Sequence, residues 1–286
     1  MPSLKVLRKR IGTVRSTQQI TKAMKMVAAA KLRRAQEAAE RARPYGQKLV
    51  EMFTAVTGGA TAEAHPLLAR RDERRADVLL ITSDRGLCGG YNANILRLAE
   101  TILRKQDCEV SIFAVGRKAV DYLRRRSIRT AAERTGVLNQ SVVAVATALA
   151  DELSARFVAG ESDAVYLVYS KFRSAISQTP TIVPLLPVTL PETAAGDGRA
   201  VEYIFEPQKR VLLGELLPVY IRTLIVQALL EAAASEQGAR MTAMENATTN
   251  ASDMIERLTL SMNRARQATI TTELMEIVSG AEALKG

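Results

Sequence analysis

The chain has 286 residues, enough for one large domain or two ordinary ones, and is 47% apolar but only 4% aromatic, with no Trp, which favours a helix-rich fold over a β-sandwich. Two cysteines, Cys88 and Cys108, are too few for a disulfide framework and make a reducing compartment the default, while no run approaches the eighteen uninterrupted apolar residues of a membrane span. The net charge of +10 has one address: residues 1–43 carry twelve Lys and Arg against Glu37 and Glu40, and the remainder carries twenty-eight of each sign. Such a segment calls for an acidic partner, whether nucleic acid, anionic lipid or a protein surface.

That basic segment reads as a helix. Leu4, Leu7, Ile11, Val14, Gln18, Thr21, Met24, Ala28, Leu32 and Ala35 fall on one stripe at three- and four-residue steps, opened by Pro2 or Ser3 and disturbed at Arg43-Pro44. An Arg-rich amphipathic start also describes a mitochondrial transit peptide, although the pattern runs past residue 30 without a cleavage-like break. A nucleic-acid-binding arm is the other reading; no aromatic residue stands before Tyr45 to stack a base.

After Thr57-Gly58-Gly59 and a charged loop at 70–75 the period changes. Strands are expected at 77–82, 110–115 and 164–169, with short ones at 181–183 and 188–190 between prolines, and helices at 91–105, 117–126 and 141–157. Strands alternating with helices predict a small parallel, Rossmann-like α/β domain over 75–195.

From Lys209 to Ala283 the only apparent breakers are Pro218, which would kink a helix or mark its beginning, and Gly238 and Gly280. Met244, Thr248, Ala251, Ile255, Leu258, Met262, Ala265, Thr269 and Thr272 alternate steps of four and three, a coiled-coil seam thin in large side chains. About 75 helical residues reach ~110 Å, more than a small domain covers, so this helix needs a partner. The N-terminal helix supplies one. The expected architecture is α/β, with residues 1–57 and 209–286 joined as one long antiparallel coiled coil around the central domain. A single member of a helix bundle is the plainer alternative.

No catalytic constellation stands out. The turn at 83–90 (SDRGLCGG) follows a strand, where a phosphate loop would sit, yet it matches neither GxGxxG nor GxxxxGK[ST]; a tight turn with positive φ is the simpler reading. His65 lacks the companions of a metal site or triad, and Cys88 has no second histidine to activate it as a nucleophile. No cofactor or metal is expected.

Four stretches carry a family resemblance: 16–31 (STQQITKAMKMVAAAK), 83–92 (SDRGLCGGYN), 235–244 (SEQGARMTAM), and 263–271 (NRARQATIT) with Glu273-Leu274 and 276–281 (EIVSGA). In order and over the whole chain, these resemble the gamma subunits of F-type ATP synthases. The resemblance implies that the N-terminal motif belongs to the working protein rather than to a transit peptide. It also implies a rotor shaft without catalytic residues of its own. The shaft would stand inside a ring of alpha and beta subunits, with the α/β domain at its foot beside the epsilon subunit and the c-ring. Ion flow through the c-ring would turn it and drive ATP synthesis or hydrolysis in the beta subunits.

By the same resemblance Lys22, Met24, Lys25, Lys31, Arg240, Arg266, Gln267 and Thr271 face the alpha and beta ring, with Arg240 by the Met24 region and Thr17 and Gln18 as further polar contacts. Tyr203, Glu206 and Pro207 form the foot contact to the c-ring and epsilon. No nucleic acid is bound, and the place implied is the cytoplasmic face of a bacterial inner membrane, peripheral to it. The chain departs from some relatives at 193–201, which is short and holds no cysteine pair, so thiol regulation is not expected. It also departs at Lys25, where many relatives have an acidic residue. The competing reading is a stand-alone α/β nucleotide-binding protein with a coiled-coil appendage.

Overall fold

The structure is a computed structural model and describes residues 3–57, 65–104, 108–137, 141–189 and 208–283. Its elements are α1 (Leu4–Thr57), a 3-10 turn (Pro66–Leu68), β1 (Arg75–Ile81), α2 (Tyr91–Leu103), β2 (Glu109–Val115), α3 (Arg117–Arg125), β3 (Thr130–Arg134), α4 (Val142–Val158), β4 (Ala164–Phe172), β5 (Gln178–Leu186) and α5 (Lys209–Ala283). Two compact units form: residues 28–240, and residues 1–27 together with 241–286.

In the larger unit a five-stranded sheet has the order β3-β2-β1-β4-β5, parallel except for β5, which runs antiparallel to β4. Alternation within the strands divides the core. Val78, Leu80, Ile112 and Ala114 face α2 and α3, while Leu79, Ile81, Phe113 and Val115 face α4 and α5. Both faces are covered, which is why β1 is apolar almost throughout. Asp77, 1% exposed, is the exception, held by Arg156 Nε at 2.9 Å.

Two details correct the expected strands. β3 has little apolar signal (TAAER) and lies at an edge, half exposed. Of the two short strands expected among the prolines, 181–183 lies within the longer β5, whereas residues 188 and 189 lie beyond its end and are not strand. It is the other edge, where a proline without an N–H is tolerated, and Pro180 and Pro184 are four residues apart, hence on the same side.

The prolines in the long helices do not end them either. α1 runs through Pro44 and α5 begins nine residues before Pro218. Packing overrides the local cost: beyond Pro44, Leu49, Phe53 and Val56 are buried, and the Phe53 ring stacks on Tyr220 at 4.7 Å. By length and composition alone α5 contains an 18-residue stretch apolar enough to cross a membrane, although no run of eighteen uninterrupted apolar residues occurs in it. Its apolar side chains Leu213, Leu217, Ile221, Ile225 and Leu229 are instead buried in the α/β core.

Candidate functional site

In the smaller unit the two ends of the chain meet. The expected stripe of α1 is its buried face: Leu7, Ile11 and Thr21 are buried and Leu4, Val14, Gln18 and Met24 are half-buried. Gln18 Nε2 donates to Ser252 Oγ (2.6 Å), the Thr21 and Thr248 hydroxyls lie 2.8 Å apart, and Lys25 Nζ meets Glu245 Oε1 at 2.6 Å. As the number rises along α1 the partner's number falls, so the helices are antiparallel. Met244 and Ala251 are buried and Ile255, Leu258, Met262 and Ala265 half-buried.

The seam then stops short of its expected end, for Thr269 and Thr272 are exposed. Carried on at the same step, the register sets Leu4, the first residue of α1, opposite Arg266. The following turns of α5 extend past it, with every residue from 266 to 281 exposed, among them Ile270, Leu274, Met275, Ile277 and Val278. Among the described residues these apolar side chains form an exposed patch on the helix end, the kind of surface through which proteins interact.

In the larger unit, the crevice at the C-terminal ends of β1 and β2 lies beside the β1/β4 switch point, where an open α/β sheet binds its ligand. Here it is filled by the chain itself. Leu229, Ala232, Ala233 and Glu236 of α5 close it against Ile81, Thr82, Asp84 and Tyr91, leaving a void of only about 10 Å³. That is room for one water at most.

The glycine-rich turn that borders this crevice is tied inward. Ser83 N–H donates to Asn92 Oδ1 (3.0 Å), and the Asp84 carboxylate accepts from the backbone N–H of Arg117 and of Gly136, both at 3.0 Å. Positive φ falls on Leu87 (63°) and Gly89 (57°), not on Gly86 or Gly90. Leu87 is 63% exposed, an outward-pointing apolar side chain in a costly conformation. Cys88 is buried and accepts from Asn92 Nδ2 at 3.2 Å; burial pushes its thiol up, away from the reactive thiolate. His65 caps the 3-10 turn, Nδ1 accepting from Leu67 N–H at 3.2 Å, and partial burial lowers its pKa. Among the described residues no cluster of His, Cys, Asp or Glu could hold a metal ion.

Comparison with known proteins settles the lineage. A family model described as ATP synthase matches residues 3–284. The ATP synthase gamma chain of Pelotomaculum thermopropionicum is 52% identical over 285 residues, covering all of both chains, and that of Geobacter metallireducens is 50% identical over 289 residues with the same coverage. The chain belongs to the ATP synthase gamma chain family. Among solved structures, a chain from the central stalk and c-ring of Tetrahymena thermophila mitochondrial ATP synthase is 28% identical, covers 80% of this chain and 99% of its own, and superposes with a TM-score of 0.60. A rotor chain of the Euglena gracilis mitochondrial enzyme, at 24% identity and covering 93% and 98%, shares the fold with a TM-score of 0.66.

As a gamma chain of the F-type enzyme, this protein is one subunit of a membrane-bound complex. Of the residues singled out in its sequence, Lys22, Lys31, Arg266, Gln267 and Thr271 are exposed and Met24 is half-buried. Lys25 is occupied by Glu245. Arg240 is turned into its own chain, 2.7 Å from Glu236 and donating to the carbonyls of Gly86 (3.3 Å) and Arg85 (3.5 Å). Thr17 Oγ1 bonds back to Thr13 O (3.1 Å) and Thr271 Oγ1 to Gln267 O (2.9 Å), each within its own helix. Tyr203, Glu206 and Pro207 lie outside the described residues. Glu236, Ser235 and Tyr91, which fasten α5 into the crevice, did not stand out in the sequence by themselves. The signal for them was membership of the two family stretches at 83–92 (SDRGLCGGYN) and 235–244 (SEQGARMTAM).

Proposed function

We propose that the chain is a non-catalytic rotor shaft: residues 1–57 and 209–286 act as one spindle, residues 75–195 as its foot, and the chemistry belongs to other subunits. The observation that carries this is the antiparallel pairing of head and tail, with Thr21 against Thr248 at its centre. A pair of joined helices resists bending and twisting better than one helix, as a load-bearing element must. The filled crevice supports the same reading, since it leaves no room for a nucleotide beside the glycine turn. The partners are the alpha and beta subunits around the spindle, with the epsilon subunit and the c-ring at the foot through Tyr203, Glu206 and Pro207. The position is peripheral, on the cytoplasmic face of a bacterial membrane.

The residues offered to the ring are Lys22, Met24, Lys25 and Lys31 on α1 and Arg266, Gln267 and Thr271 on the end of α5. A rotating part must be held without being interlocked. Exposed cations give attraction that reaches about 8–10 Å at physiological salt and tolerates a change of angle, unlike close packing. By biasing which state each beta subunit occupies, a lopsided rigid body couples distant sites.

The test is reconstitution. The purified chain should hydrolyse no ATP alone and should raise hydrolysis when mixed with alpha and beta subunits. Nucleotide turnover by the isolated chain that depends on Asp84 or Cys88 would overturn the reading.

A further inference from the structure

Residues 234–238 of α5 are buried without interruption. A helix resting on a surface buries one stripe, so five consecutive buried residues mean that α5 is enclosed on all sides there. The enclosing contacts are polar and directional. Ser235 Oγ donates to Ser170 O on β4 at 2.8 Å, and Tyr91 Oη at the start of α2 donates to Ala232 O at 3.1 Å. Gly238 lets the β4–β5 hairpin approach so closely that a Cβ there would stand 3.1 Å from Ala175 O. The Glu236–Arg240 pair, with side chains only 7% and 11% exposed, completes the collar through the carbonyls of Gly86 and Arg85.

An apolar collar can repack when the helix within it turns or slides. This one cannot, because a step of one residue swings each side chain by about 100°, taking the Arg240 guanidinium from the carbonyls of Gly86 and Arg85 and the Ser235 hydroxyl from Ser170 O. Glu236, on the same helix as Arg240, travels with it and keeps that guanidinium aimed at the turn. We propose that Glu236 and Arg240 are positioning residues that key α5 to the α/β domain, fixing its rotational register so that torque passes between them without slip. The pair touches no substrate; it acts by holding the helix on which the spindle is built. This inference rests on the rotor-shaft reading.

The double variant E236L/R240M removes both charges together, so neither is left buried and alone. On the isolated full-length chain its melting temperature should stay near that of the parent, while amide exchange in residues 85–90 should quicken about tenfold as the loop loses its anchor. In the complete complex reconstituted into vesicles, the number of ions pumped per ATP hydrolysed should fall about fivefold relative to the parent. A variant that is folded, with parental exchange and parental coupling, overturns the key. If E236L/R240M does not fold, R240K decides. It keeps a cation for Glu236 but loses the fork that also reaches Gly86 O. Reduced coupling at the parental melting temperature supports the proposal, and unchanged coupling overturns it. A parental chain that supports no coupled pumping would instead defeat the rotor-shaft reading, and the amide-exchange result would still judge the collar.

Discussion

Thr21 Oγ1 stands 2.8 Å from Thr248 Oγ1 across the seam of the terminal helices, and each hydroxyl also reaches a carbonyl of its own helix, Gln18 O at 3.0 Å and Met244 O at 2.7 Å. A hydroxyl has one proton. Either hydroxyl can therefore donate across the seam while the other donates to its own helix; the shorter distance to Met244 O favours Thr248 donating there and Thr21 donating between the helices. Thr21→Val, similar in size, should therefore cost about 1 kcal/mol, because the Thr248 oxygen loses its donor. T21V/T248V should lie close to the parent, since no polar atom is left waiting. Urea titration of the full chain measures both, and a double variant as weak as the two single losses added would refute the pairing.

Lys25 and Glu245 are bonded yet partly exposed, at 37% and 52%. Such a pair contributes about 0–1 kcal/mol, so Lys25→Gln should barely move the melting temperature, and less still in high salt. Lys22, Lys25 and Lys31 all replaced by Gln should leave the fold intact but weaken coupling in the reconstituted complex. Unimpaired rotation in that variant would remove the electrostatic role of this face.

Glycines give a contrast of sign. Gly116 has φ of +93°, and a Cβ there would lie 2.3 Å from Thr82 O, backbone that cannot swing aside, so Gly116→Ala should cost roughly 3 kcal/mol or more. Gly214 is inside α5 with nothing within 4 Å of a built Cβ, and Gly214→Ala should stabilise by about 0.5–1 kcal/mol. Thermal denaturation of the two variants should show shifts in opposite directions.

Alkaline pH supplies a fourth check. Burial raises Tyr91 well above its ordinary value of 10, with Glu236 adding repulsion, and burial followed by Glu231 raises Tyr169. A group whose pKa is higher folded than unfolded contributes stability that is complete below the unfolded pKa and is lost as pH climbs through the folded one. Stability should thus decline from about pH 10 upward. Tyr91→Phe with Tyr169→Phe should flatten that decline, which denaturant titrations at several pH values between 9 and 11 would reveal.

The terminal stripes were legible in the sequence because a helix buried along one line writes its burial at every third or fourth position. From Leu4 to Ala28 on α1, every residue picked by spacing is buried or half-buried, and the only other half-buried residue is Lys25, which is paired with Glu245. β1, β2 and β4 were legible for a related reason, since strands covered on both faces are largely apolar. β3 was not, because an edge strand exposed on one side needs no apolar code. The prolines misled where local cost was outweighed: Pro44 by the packing of Phe53 on Tyr220, and Pro180 and Pro184 by their place at a sheet edge.

The sequence by itself determined that the chain has two long helices at its ends, an α/β middle and its surplus charge at one end, because periodicity and charge are properties of neighbours along a chain. Only the tertiary structure decided where the seam stops, that Lys25 answers Glu245, and that Glu236 and Arg240 close a collar on the turn after β1. Those facts join residues some 150 to 220 positions apart, as Arg240 with Arg85 and Lys25 with Glu245. The chain brings such residues together only by folding, and a spacing rule that looks three or four residues ahead has no means of seeing them.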